Sequence, residues 1–331
     1  MRIKNTKKYI AAVAALQILL YHCWIPVFKY GTVAAGVERF LVASTYSGVD
    51  IFFFLSAYSL VLRPVENYGA FIKNRAIKIL PLFFIAWALG HFIWFLPAIM
   101  VVYLIFPPLY KLCRKRPVLA FPLLIIGWAC ITYLILGFIN PAQDLGIFLF
   151  RIPAIILGAY AGGIFGEREQ RLDPMAPQNE PLKPIVGALL LAAGTLLVYK
   201  FGYVNKLQTP FKDTFYLVGI PTMLGTIILV DWLGQKLEDK NRVQVIPRDV
   251  FKEQGPPEGR TFGEFASDTI KGFGSLTLEL YFSQMVLGTY LINNFYAITS
   301  SRLLTNLITI AIIIIVSKII NWISEFWMNL I

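Results

Sequence analysis

Charged residues are scarce in this sequence. Asp, Glu, Lys and Arg make up 15% of its 331 residues, whereas a soluble domain carries about a quarter. Hydrophobic residues make up 57%, and the mean hydropathy is +0.65. Apolar runs long enough to cross a bilayer recur along the chain. These values exclude a soluble globular protein and indicate a chain that crosses a membrane several times.

Cysteine and histidine are also rare. The three cysteines, Cys23, Cys113 and Cys130, stand too far apart for a disulfide framework, and no Cys/His spacing typical of a zinc site occurs. We therefore predict no bound metal. No internal repeat is visible, so the pattern of inverted repeats found in many secondary transporters is missing. A general secondary transporter is accordingly a less favoured interpretation.

The basic excess has a simple interpretation in a membrane protein. A net charge of +11 could indicate nucleic acid, but in this composition it favours the positive-inside rule and contact with anionic membrane lipids. We predict no nucleic-acid partner. The apolar stretch 77–110 is too long for one span, and basic residues precede and follow it, so we predict that the chain crosses twice there.

The resulting fold prediction is an all-α integral membrane protein, a polytopic bundle of about ten transmembrane helices with both termini cytoplasmic. It forms a single domain, 1–331, with cytoplasmic loops near 63–78, 111–117, 166–183 and 235–271. Of the 30 Lys and Arg residues, 22 fall in the predicted cytoplasmic segments. The predicted spans are 9–28, 42–62, 78–92, 94–110, 118–138, 145–165, 184–203, 212–234, 272–296 and 303–326.

Three polar residues within predicted spans are candidates for function, because a charge or histidine in hydrocarbon is costly. His22 and Asp50 come from neighbouring spans and are predicted at similar depths in the outer half of the membrane. Asp50 could orient the imidazole of a catalytic base, or the two could simply hydrogen-bond within the bundle. Arg151 could pair with Asp50 or bind an anionic group of a substrate.

Basic residues near the predicted inner surface are candidates for cofactor binding. Arg75 and Lys78 precede the third span, where they could hold the phosphates of a cytosolic cofactor or only fix the topology.

Several motifs together resemble a known family. In chain order these are "LLYHCW", "GVDIFFFLSAYSL", "FIKNRAIKILPLFF", "HFIWFLPAIMVVYLIFPPL", "FRIPAIILGAYAGG" and "GSLTLELYFSQ". The sequence is similar to membrane-bound acyltransferase family three, whose members O-acetylate bacterial cell-envelope polysaccharides. The resemblance extends over nearly the whole chain, and "GVDIFFFLSAYS" followed by the "NRAIKILP" block is its most specific part.

The resemblance implies a function and assigns roles. It implies acetyl-CoA, or another acyl-CoA, as a donor substrate bound from the cytoplasm, and an envelope glycan hydroxyl as acceptor. It implies that His22 and Asp50 are catalytic, as general base and orienter, and that Arg75, with Lys78 nearby, binds the donor. It also implies a multi-pass protein of the plasma membrane.

This sequence departs from the family pattern at three places. Ala11 stands where an arginine is usual, eleven residues before the first-span histidine, and Gln284 stands where the late motif usually has a histidine. The stretch between "ILP" and "HFIWFL" is also short. These departures favour an alternative interpretation, a non-catalytic diverged relative that transports or flips an envelope glycan or a lipid-linked precursor.

Overall fold

The computed structural model describes residues 3–62, 65–138, 143–171, 181–204, 215–245 and 262–328, and every element in these ranges is helical. The all-α class predicted from sequence is therefore confirmed for the described residues. The helices are α1 (Ile3–Cys23), α2 (Val33–Ser44), α3 (Gly48–Leu62), α4 (Tyr68–Ala88), α5 (Phe95–Lys115), α6 (Pro117–Phe138), α7 (Gln143–Arg171), α8 (Leu182–Val198), α9 (Phe215–Val218), α10 (Ile220–Val245), α11 (Phe262–Ser275), α12 (Thr277–Thr299) and α13 (Arg302–Met328).

Each predicted span coincides with helix over most of its length. Within the described residues, five helical segments are long and apolar enough to cross a membrane, which supports a membrane protein; the number ten and the side of each terminus stay predictions. The five are Val33–Leu62, Pro117–Leu136, Leu145–Gly166, Leu182–Phe201 and Arg302–Phe326.

Helix α6 shows most clearly that part of the surface faces lipid. Its apolar segment Pro117–Leu136 has a mean hydropathy of 2.3, yet only 11% of the scored stretch is buried inside the protein. Large side chains such as Val118, Ile126 and Ile131 are more than half exposed. A water-soluble protein rarely exposes so large an apolar patch, whereas hydrocarbon covers it at no cost.

Helices extend into segments that the charge pattern predicts as loops. Helix α7 continues through the charged residues up to Arg171, and α10 reaches Val245. Helix α11 occupies part of the predicted loop 235–271. Charged residues are good helix formers, so a charge run marks the end of a span without ending the helix. The Pro- and Gly-rich part of that loop, 246–261, lies outside the described residues.

The second predicted span, 42–62, contains the last residues of α2, a short 3-10 turn (Thr45–Ser47) and all of α3. Immediately after the turn, Gly48 passes close to α1: a Cβ placed there would lie 2.7 Å from the Ala14 carbonyl oxygen. Only a glycine allows this approach, so Gly48 fixes which face of α3 is turned toward α1.

The opposite side of α3 packs against α7 through small residues. Gly158, Gly162 and Gly166 recur every four residues along α7 and face α3. A Cβ at Gly162 would lie 2.9 Å from the Tyr58 carbonyl oxygen, one at Gly158 would overlap that of Phe54, and one at Gly166 would meet the Leu62 side chain. A small residue every fourth position lets two membrane helices approach closely. This contact positions the side chains of α3 and α7 described below.

Replacing Gly158 by alanine is expected to destabilise the bundle by about 1–3 kcal/mol, because the new methyl overlaps a backbone atom that cannot move independently. Gly127→Ala is the matched control: a Cβ there meets no atom within 4 Å, and alanine favours helix. The check is the thermal unfolding midpoint of both variants in detergent. Equal midpoints for the two variants would contradict the close α3–α7 packing.

Candidate functional site

Helix α1 carries functional candidates at both of its ends. Lys4 and Lys7 lie in its first two turns and His22 in its last turn. At 1.5 Å per residue, Lys7 and His22 are separated by about 22 Å along the helix axis. We call the end of the bundle near Lys4 and Lys7 the basic end, and the end near His22 the histidine end.

At the histidine end, the imidazole of His22 is exposed and lies beside aromatic rings. The Tyr21 ring packs edge-on against the imidazole, with centroids 5.1 Å apart, and also against Tyr46, at 5.6 Å. The Arg151 guanidinium carbon lies 5.6 Å from the centre of the Tyr46 ring. A row of side chains therefore leads from the accessible histidine to a buried arginine.

Asp50 pairs with this arginine and not with His22. Arg151 Nη1 lies 2.7 Å from Asp50 Oδ1, and both side chains are buried. Among the described residues no hydrogen bond or ion pair joins Asp50 to His22, so the predicted base-and-orienter contact is not found. Arg151 is predicted from the sequence either to pair with Asp50 or to bind an anionic group of a substrate, and the structure contains the ion pair with Asp50.

Helix rotation explains why equal depth does not bring Asp50 and His22 into contact. Gly48 faces α1, and Asp50 follows two residues later, about 200° around the helix. Its carboxylate therefore points away from α1 and toward α7, where Arg151 lies. In the ion pair, the charges of Asp50 and Arg151 neutralise each other in a region of low dielectric.

The chain that follows His22 is held by a buried carboxylate. Glu38 of α2 accepts hydrogen bonds from the indole Nε1 of Trp24 (2.8 Å), from the backbone nitrogen of Val27 (2.7 Å) and from that of Phe28 (3.1 Å).

Helix α13 holds the same segment from the other side. The Asn306 side chain accepts from the Ile25 nitrogen at 2.9 Å and donates to its carbonyl oxygen at 2.8 Å, and Arg302 donates to the Pro26 carbonyl oxygen at 3.0 Å. The end of α1 is thereby fixed relative to two other helices, and with it the backbone that carries His22.

The basic end contains a cavity of about 520 Å³ that we call the cationic cavity. Lys4, Lys7 and Arg75 line it, against one acidic residue, Glu66. Lys7 Nζ donates a 2.6 Å hydrogen bond to Ser59 Oγ of α3. Three cations around one cavity form a site suited to an anionic group such as phosphate.

A second cavity of about 390 Å³ adjoins the first, and we call it the deep cavity. The two share Ser56, Arg75 and Tyr103 as lining residues, and Lys78 lines the deep cavity. The Arg75 guanidinium lies between two rings, 5.4 Å from the centre of Phe71 and 5.0 Å from that of Tyr103. The structure thus brings Arg75 and Lys78, the two predicted donor-binding residues, to one cavity.

The two positions that depart from the family pattern are both buried. Ala11 lies in the core, and Gln284 is 3% exposed with neither amide atom hydrogen-bonded to another described residue. Among the described residues, no hydrogen bond therefore orients the Gln284 amide.

Sequence reasoning missed several residues around these sites. Tyr46 of the 3-10 turn and Trp94, just before α5, reach Arg151, and Ser59 of α3 reaches Lys7; no spacing in the sequence predicts such contacts. The place of Lys4 in this site could have been predicted from the sequence, because Lys4 lies one turn from Lys7 on the same helix face. In the part of the chain described, no three His, Cys, Asp or Glu residues come together as a metal site would require.

A comparison with known families decides the assignment. The family model described as acyltransferase domain, of acyltransferase family 3, matches residues 9–93 and 90–325. The chain belongs to acyltransferase family 3. This family 3 protein shows no significant match to any curated protein or to any solved structure. Family membership supports an acyltransferase and an acyl donor, and together with the apolar helices it supports a membrane location.

Proposed function

We propose that this protein is an O-acyltransferase, and in particular an O-acetyltransferase, of the plasma membrane. It moves an acyl group from acyl-CoA, bound at the basic end from the cytoplasm, to a hydroxyl of a cell-envelope glycan at the histidine end. The observation that carries the proposal is the arrangement of one bundle with a cationic cavity at one end and an accessible histidine at the other.

The donor end suits coenzyme A. Lys4, Lys7 and Arg75 converge on the cationic cavity and provide charge-assisted donors for its phosphate groups. Lys7 lies one turn below Ala11, so a cation is present near the family arginine position even though that arginine is missing. Arg75 also lines the deep cavity, which places the rest of the donor next to the phosphates.

The acceptor end suits general base catalysis. His22 takes the proton of the glycan hydroxyl while the hydroxyl oxygen forms a bond to the acyl carbon of the thioester. The carbon–sulfur bond breaks, and the proton passes to the leaving thiolate, so the products are an ester and free coenzyme A. Arg151 and Asp50 support the surrounding helices as a neutral pair, and the role of Asp50 is to position residues around His22 indirectly.

The resemblance to glycan O-acetyltransferases supports the choice of acceptor. The exposed ring of Tyr21 beside His22 gives the histidine end an aromatic surface on which a sugar ring can lie. Membrane lipids cover the apolar flanks, and no nucleic-acid partner is proposed.

Coenzyme A binding tests the donor end. Acetyl-CoA or coenzyme A at about 100 times its Kd is expected to stabilise the purified protein by about 2.7 kcal/mol, measured as a raised thermal unfolding midpoint. Arg75→Ala and Lys7→Ala are expected to weaken this binding about tenfold each, because each removes a charged contact to phosphate. Arg116→Ala, an exposed arginine at the same end that lines neither cavity, is the control.

The same measurement distinguishes an acyltransferase from the competing, non-catalytic function. A non-catalytic relative that flips a glycan or a lipid-linked precursor has no need to bind coenzyme A. No stabilisation by either compound, together with unchanged envelope esters in a deletion strain, would favour that alternative over an acyltransferase.

A further inference from the structure

The deep cavity has one long wall formed by a single helix face. Phe95, Ile99 and Tyr103 of α5 all line it, at intervals of four residues. Eight residues of helix correspond to about 12 Å, so the cavity extends that far from the level of Tyr103 toward the histidine end. Arg75 and Lys78 line the basic end of the cavity, which we call its mouth, together with Glu279 and Glu325.

Two phenylalanine rings line the cavity at its far end. Phe52 of α3 and Phe95 are the lining residues on these two helices that lie farthest from the basic end, and their ring centroids are 6.5 Å apart. Phe95 is 6% exposed and also packs against Phe53, at 5.2 Å, and Tyr281, at 4.9 Å. The Phe95 ring therefore has neighbours that hold it in place across the end of the cavity.

This far end lies at nearly the same depth in the bundle as the buried ion pair. Phe52 is two residues from Asp50, about 3 Å along the α3 axis. The ring of Trp94, the residue before Phe95, is centred 6.4 Å from that of Phe53 and 5.9 Å from the Arg151 guanidinium carbon. Phe95 therefore follows directly on Trp94, which contacts the arginine at the end of the row of side chains that begins at His22.

We propose that Phe95, together with Phe52, determines which acyl group the protein accepts. The inference rests on the proposed function, because it concerns the donor of that reaction. With the phosphates of the donor held by the cations at the mouth, the acyl group is the part that reaches farthest in and lies against the two rings. Phe52, Phe95 and Ile99 give that end an apolar wall, and the two rings favour a methyl group over a longer chain.

The expected specificity follows from the size of the rings. One extra methylene in a tight apolar pocket changes discrimination by about 10–200-fold. The wild-type protein should therefore prefer acetyl-CoA over butyryl-CoA by about tenfold or more. Phe95→Ala removes the phenyl ring from the end of the cavity and should raise the ratio of butyryl to acetyl transfer by about tenfold or more. Phe95→Trp adds volume and should lower acetyl transfer.

The experiment is a competition between donors. Membranes that contain each variant and the native glycan receive equal acetyl-CoA and butyryl-CoA, and the released esters are quantified by mass spectrometry. Phe148→Ala is the matched control: its ring also packs on Phe53, at 6.1 Å, but it lines a different groove, so its acyl preference should equal that of the wild type. If the Phe95→Ala variant does not fold, the same competition is measured with Phe95→Leu and Phe52→Leu.

The outcomes separate the inference from the function on which it rests. If the wild type makes esters but every folded Phe95 and Phe52 variant keeps the wild-type ratio, the inference is overturned and the acyltransferase stands. An equal shift in Phe148→Ala overturns it as well, because the effect then comes from general loosening of the core. If no variant and no wild-type sample forms esters from either donor, the proposed function itself fails.

Discussion

Replacing His22 by alanine is expected to abolish ester formation on the envelope glycan while the protein remains folded. General base catalysis by a side chain accounts for about 10²–10⁴-fold in rate, so residual activity should be below about one hundredth of wild type. The imidazole is exposed and has no hydrogen-bond partner among the described residues, so its loss removes little packing. The measurement is base-labile acetyl per unit of extracted polysaccharide, at matched protein levels.

The chain offers its own control for this prediction. His91, the only other histidine, lies exposed in the turn between α4 and α5, away from the Tyr21 and Tyr46 rings. His91→Ala is expected to keep wild-type ester levels. Wild-type ester in cells carrying His22→Ala would show that another group takes the proton and would refute the assignment of His22 as base.

Asp50→Asn and Arg151→Gln are each expected to destabilise the protein by about 3–5 kcal/mol. Each change leaves a buried partner without its counter-charge, and breaking a buried pair from one side is strongly unfavourable. In thermal unfolding in detergent, both variants should show a large drop in midpoint. Arg116→Gln, a change at the exposed residue that follows α5, should stay within about 0.5 kcal/mol of wild type.

The double variant Asp50→Asn/Arg151→Gln decides what the pair does. Because both charges are gone, its loss of stability should be smaller than the sum of the two single losses. We also expect it to recover ester formation in part, since Asp50 then acts only by positioning the helices around His22. A stable double variant without any activity would instead mean that the Asp50 carboxylate or the Arg151 guanidinium takes part in the reaction directly. Additive losses of stability would show that the two residues do not interact.

The helical architecture is predictable because its causes are local. Runs of apolar residues long enough for a bilayer, and basic residues between them, set the position of helices such as α5 and α6 to within a few residues. The turn within 77–110 follows from charge on both sides, and the structure ends α4 at Ala88 and begins α5 at Phe95. The charge pattern does not predict helices that lie outside the predicted spans, such as most of α11.

The candidate site is predictable only in part, because its contacts depend on helix rotation. His22 and Asp50 stand out as polar residues in apolar segments, which is a property of the sequence. Which residue each one meets depends on the angle at which α3 is turned, and two close glycine contacts set that angle: Gly48 against α1 and Gly158 against α7. The resulting partner of Asp50 is Arg151, about one hundred residues away.

The sequence by itself determined the membrane class, the helical segments, the family resemblance and the presence of basic residues near one surface. These depend on hydropathy, charge and motifs, which neighbouring residues define. Only the tertiary structure decided that Lys7 and Arg75 share a cavity, that Asp50 binds Arg151, and that Phe95 and Phe52 line the deep cavity together. Each of these joins side chains from different helices, and the physical reason is that close packing of small residues fixes how far and at what rotation the helices meet.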